Sequence, residues 1–371
     1  MKKRVFVIVV AILAVMMVFA ACSTPVADTP AATPEAPATE TPAQNENNDD
    51  GSTMTIGFNA GAMTNENMRL CVAGTKYEAE QEGVNFIMTE SNFDPEQVMP
   101  NVNTLIMQGA DMIIDFNVNA EVGGNIVDVA KENGLAGVIG CDVEYYSSNG
   151  VDRAWFMGAN NQLAGELQGQ AIFDYVNENK DGVLEKMVLV FSSDNGDAVK
   201  PRMGGAVDKL RELGMDIPDS DIEWIDLAGA GGSGAEGTEA TREKFMGWLT
   251  ANPNVHSVGV VCVNGEGAQG ALAAAETVGR VEDIILSNSN VQAQYVQHVE
   301  NGGAKQWIGC VSFNFEDYGK YLVPLAIDMI TGANTDPSVP ILIEHSFVKY
   351  DDLASYQQTR DAFIEVLSDY Y

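Results

Sequence analysis

Histidine and metal-binding motifs are scarce in this chain. Its 371 residues include three histidines, His256, His298 and His345, which lie far apart. No pair has HxxxH spacing and no CxxC motif occurs, so the sequence predicts no structural zinc site. A hydrolase triad needs a histidine base beside its nucleophile, and the same scarcity argues against that class of enzyme.

Basic residues are also few. The chain has 20 Lys and Arg against 53 Asp and Glu, which gives a net charge of −33 at pH 7. Such a surface repels nucleic acid, anionic lipid and cell-wall polyanions. The charge therefore predicts no nucleic-acid partner, and it argues weakly against a strongly anionic ligand.

A long apolar run occurs at the start of the chain. Lys2, Lys3 and Arg4 precede an apolar stretch over residues 5–21, and small residues lead up to Cys22. Seventeen apolar residues are short for a bilayer-spanning helix, which needs about 20. The pattern is typical of a bacterial lipoprotein signal. It predicts a signal peptide over 1–21, a lipidated Cys22 and an extracytoplasmic protein held at the membrane through its lipid only; an uncleaved anchor is the alternative.

Composition divides the rest of the chain. Residues 22–52 are rich in Pro, Ala, Thr, Glu and Asn and contain no aromatic residue, so they cannot bury enough apolar area to fold and predict a disordered linker. The remaining stretch of about 320 residues is too long for one ordinary core and predicts two domains.

Four cysteines follow Cys22, and two arrangements are open to them. Cys141, Cys262 and Cys310 lie in strand-like runs, and Cys71 lies on a helix-like stretch. An exported protein could pair them in two disulfides. Cysteines inside strands more often act as small buried hydrophobes, so we favour free thiols.

Short β-rich runs alternate with longer segments of helical apolar spacing. The first series of runs covers 54–59, 84–90, 111–117 and 136–142, followed by a connecting run at 154–158; the second covers 187–193, 222–228, 257–264, 283–288, 305–313 and 341–348. One predicted helix ends at Gly83, and another begins at Pro95 after Asp94 as N-cap. Repeated βα units predict parallel sheets with helices on both faces, and two series predict two doubly wound α/β lobes.

The predicted strand ends are rich in polar side chains. In open α/β sheets a ligand binds at the carboxyl ends of the strands. Amides both donate and accept hydrogen bonds, and carboxylates accept them from vicinal hydroxyls, so this set favours a neutral polyhydroxylated ligand. Asn at a strand end also makes turns without any ligand role. The candidates taken from this pattern are Asn117, Asp142, Arg202, Asn264, Glu266, Asn288 and Asn290.

The order of several phrases resembles a known family. These phrases are IGFNAGAMTNENM, LIMQGADMIID, GVIGCDVE, WFMGANNQLAGELQG, KPRMGGAVDKL, VGVVCVNGEGAQGALAA and FEDYGKYLVPLAIDMITG. From about Met54 to Val348 the chain resembles the type I periplasmic-type solute-binding proteins of sugar ABC importers, the ribose- and galactose-binding group. The resemblance implies two lobes joined by a three-crossover hinge, with lobe 1 at 53–157 and 312–340 and lobe 2 at 158–311 and 341–371.

The resemblance also implies individual contacts. The first-strand loop would line the cleft with Asn65, Asn67 and Met68. Asp142 would bind hydroxyls, Arg202 matches the Arg of the R-x-x-G phrase, and Asn264 matches the Asn of N-D-x-x-A-x-G. The chain departs from the family in three places. Val143 follows Asp142 where pentose binders have Arg, and the Gly-Phe-Asp phrase reads Ser-Asn-Ser-Asn over 287–290. Phe313 stands where a Gln is expected. The paired phenylalanines of the first loop are missing, and Trp155 and Trp224 are candidates for stacking instead.

The sequence therefore predicts a monomeric, non-enzymatic receptor without a cofactor, which closes two lobes on a sugar or polyol and delivers it to an ABC permease. An alternative is a sensor module that presents a sugar-like or furanone signal to a chemoreceptor or kinase. A glycosidase using Asp142 and Glu266, and a dinucleotide site at the GAGGSG run over 229–234, are weaker hypotheses. A repressor of the same fold would need a DNA-binding head where the signal peptide stands.

Overall fold

The computed structural model describes residues 53–117, 120–193, 199–229 and 234–371. The predicted signal peptide, Cys22 and the linker to residue 52 lie outside the described residues, as does most of the glycine-rich run. None of the helices in the described part has the length and apolarity needed to cross a bilayer.

The first six-stranded sheet is entirely parallel. Its strands, in the spatial order β11-β5-β4-β3-β1-β2, are β1 Thr55–Ala60, β2 Asn85–Glu90, β3 Met112–Phe116, β4 Val138–Cys141, β5 Trp155–Ala159 and β11 Ile341–Ile343. The helices of this part are α1 Glu66–Gln81, α2 Pro95–Met107, α3 Ala120–Glu132 and α9 Gly319–Thr331. We call this sheet and these helices the first lobe.

The second six-stranded sheet has the same order, with one antiparallel edge strand. Its strands, in the order β12-β10-β9-β8-β6-β7, are β6 Lys186–Phe191, β7 Ile222–Asp226, β8 Val258–Cys262, β9 Ile284–Ser289, β10 Trp307–Ser312 and β12 Ser346–Lys349. Its helices are α4 Asn161–Asn179, α5 Lys200–Glu212, α6 Gly234–Ala251, α7 Gly265–Thr277 and α8 Ala293–Glu300. This is the second lobe, and α10 Leu353–Leu367 follows it. The predicted α/β class with two doubly wound sheets is confirmed.

Local sequence signals set the helix ends. The Asp94 side chain accepts from the Glu96 amide at 2.9 Å, with Pro95 in the first turn of α2. Gly83 has φ of 67° just beyond α1, a conformation that glycine adopts without steric cost. Both predicted helices therefore begin and end close to their expected residues.

Two strand predictions are wrong. The run at 154–158, predicted as a connection, forms strand β5 between β4 and β11. The run at 341–348, predicted as one strand, forms β11 in the first sheet and β12 in the second. The run at 341–348 contains no Gly, Pro, Asn or Asp that would have marked the change of sheet. The predicted lobe bounds fall inside β5, inside β10 and directly before β11, and they remain a prediction.

The strands that are buried on both faces form the cores. Every residue of β1, β3, β8, β9 and β10 is buried. Cys71, Cys141, Cys262 and Cys310 are free thiols in these cores, as we favoured over two disulfides. Trp307 is 1% exposed in the second-lobe core, and the partly buried Trp248 packs against that core and stacks on Phe245.

We predict opposite effects from two Gly→Ala substitutions. A Cβ at Gly74 of α1 would collide with the Glu316 carbonyl, so Gly74→Ala should lower the free energy of unfolding by about 1–3 kcal/mol. A Cβ at Gly247, within α6, meets no atom within 4 Å, so Gly247→Ala should raise it by about 0.5–1 kcal/mol. Urea denaturation of both variants checks the pair, and equal effects would contradict the packing described.

Candidate functional site: a cleft between the two sheets

The chain passes between the two sheets at three places. It leaves the first sheet after Ala159, returns from the second after Ser312, and crosses again between Ile343 and Ser346. The carboxyl ends of the two sheets meet beside these crossings, since the Asn290 side chain after β9 donates to Asn67 Oδ1 on α1 at 3.3 Å. The crossings and this contact define a cleft between the lobes.

Asp142 lies in the first-lobe wall of the cleft. It follows β4 with φ of 60°, in a left-handed conformation that Asp tolerates better than most residues. Its carboxylate accepts the Ala159 amide at 2.7 Å and the Tyr318 hydroxyl at 3.1 Å. Burial raises the pKa of Asp142, and these two hydrogen bonds and the charge of Arg202 oppose that rise. The carboxylate is therefore fixed in place beside a cation.

Arg202 reaches the same region from α5 in the second lobe. Its Nε donates to Asn161 Oδ1 at 2.8 Å, and the guanidinium carbon lies 4.5 Å from the centroid of the Phe313 ring. Burial lowers the pKa of Arg202, and the nearby Asp142 carboxylate opposes this. The two charged groups influence each other, yet they form no direct ion pair among the described contacts. A ligand between them could hydrogen-bond to both.

A row of aromatic rings lies along the second crossing. Phe315 stacks between Phe313 and Tyr318, with ring centroids 6.2 and 4.8 Å away, and Phe116 stacks 6.5 Å from Tyr318. Phe313 is 2% exposed, so it supports Arg202 with its ring face. This largely buried row contacts Asp142 through Tyr318 and Arg202 through Phe313.

Several predicted contacts serve helix ends. Asn65 Oδ1 accepts the Met68 amide at 3.1 Å and caps α1, while Met68 is buried and its sulfur accepts the Ala62 amide. Asn264 Oδ1 accepts the Gly267 amide at 2.9 Å and caps α7. These hydrogen bonds satisfy amides that the helix itself leaves without a partner. Among the described contacts of the predicted first-loop residues, it is the hydrogen bond to Asn67 that crosses the cleft.

The predicted residues at the carboxyl ends of β8 and β9 differ in their surroundings. Asn288 is fully buried, accepts from Trp307 Nε1 at 2.8 Å and donates to the Asn290 carbonyl, so its contacts lie within the second lobe. Glu266, in the first turn of α7, has a buried Oε2 without a hydrogen-bond partner. The structure thus brings Asn67 to Asn290 and Asp142 towards Arg202, and keeps Asn288 in the core.

Asn117 belongs to a buried hydrogen-bond network centred on Asp115. Asp115 is fully buried and accepts from Asn59 Nδ2 at 2.6 Å, from the Tyr145 hydroxyl at 2.7 Å and from Asn117 Nδ2. Asn59 in turn accepts from Thr89 at 3.2 Å. Burial raises the pKa of Asp115 to about 6, and the three donors oppose the rise. In this arrangement Asn117 is turned towards the strand and is 3% exposed.

The tryptophan candidates lie away from these contacts. Trp155 is in β5, where its ring nitrogen donates to Asn334 at 3.4 Å. Trp224 is 44% exposed on the edge strand β7 and its ring packs edge-on against Phe191. In the part of the chain that the structure describes, the contacts of these rings are with Asn334 and Phe191 rather than with the charged groups of the cleft.

Comparison with known proteins identifies the family. The sequence pattern described as "Periplasmic binding protein domain" matches residues 56–334, more than half of the chain. The chain belongs to the periplasmic binding protein family. This family is one of binding proteins rather than enzymes, in agreement with the prediction that the chain catalyses no reaction, and its members act outside the cytoplasm.

Among curated proteins, this binding protein is similar to the D-xylose-binding periplasmic protein of Escherichia coli. The two are 23% identical over 230 residues, which cover 61% of this chain and 63% of the relative, so the match spans less than two thirds of that protein's length.

Solved structures share the fold. A solute-binding protein from Mycobacterium smegmatis with bound glycerol has a TM-score of 0.64 at 17% identity, covering 82% of this chain and 96% of that one. One from Actinobacillus succinogenes with bound D-allose gives 0.63 at 18%, covering 82% and 100%. One from Bacillus halodurans with bound myo-inositol gives 0.61 at 19%, covering 84% and 99%.

Three residues that contact the candidate site of this binding protein, Asn161, His345 and Tyr318, are absent from the sequence-predicted set, as is the fully buried Asp115. Asn161 and His345 lie at crossings, and a crossing is recognised only when two strands are assigned to different sheets. Tyr318 follows the predicted Phe313 by five residues in a visible aromatic cluster, which could have been a signal. Asp115 sits inside an apolar strand, where an isolated acid already indicates a buried partner.

His345 is the buried base at the third crossing. Its Nδ1 lies 3.1 Å from the Ser312 carbonyl and its ring centroid is 4.4 Å from that of Phe313, while its Nε2 is buried without a hydrogen-bond partner. Burial lowers the pKa of His345 to about 4, and the charge of Arg202 adds to this. The ring is therefore neutral at pH 7 and adds no positive charge to the cleft.

We predict that Asp115 makes stability fall as pH rises. Its pKa is about 6 in the folded protein against an ordinary value of 3.8, so the folded state prefers the protonated acid. The stabilising contribution is complete below pH 4 and is lost on rising through pH 6, by roughly 3 kcal/mol. Urea denaturation of the wild type and Asp115→Asn from pH 4 to 7 measures it. The difference between the two proteins should vary with pH, and a constant difference would show that Asp115 titrates normally.

Proposed function

We propose that this periplasmic binding protein is the lipid-anchored receptor of an ABC importer and that it binds a small neutral sugar or polyol in the cleft between its lobes. The observation that carries the proposal is the placement of Asp142 and Arg202. They come from different lobes, influence each other's pKa and form no direct ion pair with each other among the contacts of the described residues.

The surrounding chemistry favours a neutral ligand with several hydroxyls. A hydroxyl can donate to the Asp142 carboxylate while a neighbouring hydroxyl accepts from Arg202. Asn67 and Asn290 add amides that both donate and accept. The relatives named above bind D-xylose, glycerol, D-allose and myo-inositol, which all carry adjacent hydroxyls.

The proposed mechanism is a shift in the population of lobe arrangements. A ligand that contacts Asp142 and Arg202 at once interacts with the closed arrangement more strongly than with an open one, and stabilises it by that difference. The closed arrangement would be the form that a permease recognises. The predicted signal peptide and Cys22 support the placement at the outer face of the plasma membrane.

A thermal-shift panel tests the ligand class. We would measure the melting temperature with D-xylose, D-allose, myo-inositol and glycerol at millimolar concentration. A ligand present at about 100 times its dissociation constant adds roughly 2.7 kcal/mol to the stability of the folded state. We expect a selective rise with at least one compound, and a flat panel would contradict a sugar or polyol ligand.

Removing either charged group should weaken binding. For the compound that gives the largest shift, Asp142→Ala and Arg202→Ala should each cost about 2 kcal/mol or more, because each leaves buried polar groups without a partner in the closed cleft. Glu144→Gln is the matched control, since Glu144 is two residues from Asp142 but pairs with Arg153. Calorimetry that gives unchanged affinity for both Ala variants would refute the assignment of the site.

Uptake separates import from sensing. Cells lacking this gene should take up the radiolabelled ligand more slowly if the protein feeds a permease. Unchanged uptake together with a lost transcriptional or chemotactic response to the ligand would favour the sensor function instead.

A further inference from the structure

The last helix begins in the second lobe. Strand β12 pairs with β10 in the second sheet, and α10 starts directly after it at Leu353. Leu353 is 1% exposed within the second-lobe core, and Tyr356 packs against the same core. The first turn of α10 is thus anchored to the second lobe.

The same turn contacts the second crossing between the sheets. The Tyr356 hydroxyl lies 2.8 Å from Ser312 Oγ and donates to Asn314 Oδ1 at 3.0 Å. Asn314 has φ of 48°, so this crossing passes through a left-handed residue. Tyr356 therefore connects α10 to the backbone segment that must rotate if the lobes move.

The middle of α10 is bound to the first lobe by charge. Arg360 Nε donates to Glu316 Oε1 at 3.0 Å, in the turn that precedes α9, and an Arg360 nitrogen lies 3.8 Å from Glu66 on α1. Glu316 is 5% exposed, and burial raises its pKa while Arg360 opposes the rise. An ion pair shielded from water in this way is weakened little by salt.

The end of α10 and the residues after it pack on the outer face of α1. The Tyr77 ring makes edge contacts with Phe363 and Tyr370, with centroids 5.8 and 5.5 Å apart. The Lys320 ammonium lies 5.0 Å from the Phe363 centroid, and the Arg69 guanidinium lies 5.3 Å from that of Tyr371. The final turns thus belong to the first lobe.

We propose that α10 is a strap across the hinge, which stabilises the lobe arrangement in which Asn67 meets Asn290. A 15-residue helix is a stiff rod of roughly 22 Å. When the lobes separate, such a rod must release its contacts on one lobe or bend where it leaves β12. The contacts of Arg360 and Phe363 with the first lobe therefore bias the equilibrium between open and closed lobes. The inference that this bias affects ligand uptake rests on the proposed function.

Distances between the lobes test the strap without any ligand. Spin labels at Glu96→Cys and Glu243→Cys, both at exposed positions in different lobes, report the separation by pulsed electron resonance. The full-length chain would carry Cys22→Ser, and the four other thiols are buried and should stay unlabelled. In Arg360→Met and Phe363→Ala we expect the distance distribution to shift to longer values. Arg360→Lys should recover much of the original distribution, because it keeps the charge beside Glu316.

Controls separate a strap from ordinary stabilisation. Gln358→Ala changes an exposed residue of the same helix and should leave the distances unchanged. If Arg360→Met does not fold, the milder Tyr77→Leu, which removes the ring contacts with Phe363 and Tyr370, gives the same readout. Lower melting temperatures with unchanged distances in Arg360→Met and Phe363→Ala would overturn the proposal and leave α10 a structural helix. Because no ligand is present, a failure here is distinct from a failure of the sugar-binding proposal.

Discussion

The three crossings of the chain between its two sheets are the constraint on which the rest of the structure depends. Each sheet buries its central strands on both faces, so neither can bend to close a cleft, and relative movement must occur in the few residues that join them. The crossings lie side by side at the carboxyl ends of the strands. A parallel sheet places its loops and helix N-termini at that same edge. The site and the hinge are therefore adjacent because of the topology itself.

The electrostatics of the cleft follow from that adjacency. Burial disfavours the charged forms of both Asp142 and Arg202, and each offsets part of the cost for the other. Since they come from different lobes, this mutual stabilisation weakens when the lobes separate. Tyr318 and Ala159 hold the carboxylate, and Asn161 and Phe313 hold the guanidinium. Three of these four supports, Ala159, Asn161 and Phe313, lie within two residues of a crossing, so a change of hinge angle also changes how well the charges are presented.

The sequence was sufficient to predict the fold but only part of the site. Alternating βα periodicity, the Asp94 cap and the stop at Gly83 are local signals, and the structure has all of them. The change of sheet between Ile343 and Ser346 is not local: β11 and β12 are both short, and only their pairing partners distinguish them. Asn65 and Asn264 are predicted as ligand contacts, and in the structure each caps a helix. A residue type suited to binding hydroxyls is also suited to capping a helix, so the sequence does not distinguish the two roles. Asn288 is predicted as a ligand contact because of its amide, and in the structure the oxygen of that amide accepts a hydrogen bond from Trp307 Nε1.

The position of Tyr356 and Arg360 on one helix links stability to lobe geometry. A substitution at Tyr356 removes contacts to the second lobe and the crossing, and one at Arg360 removes contacts to the first lobe. Either change therefore lowers the free energy of unfolding and also alters the lobe equilibrium. If such a variant lost ligand affinity, the loss would not prove that the substituted residue contacts the ligand. At Asp142 or Arg202, by contrast, the affinity can change while the strap remains intact. Both kinds of residue contact the same crossing, since Arg202 lies over Phe313 and Tyr356 hydrogen-bonds to Ser312 and Asn314. Their effects can be separated because one set acts on the lobes without ligand and the other requires the ligand to be bound.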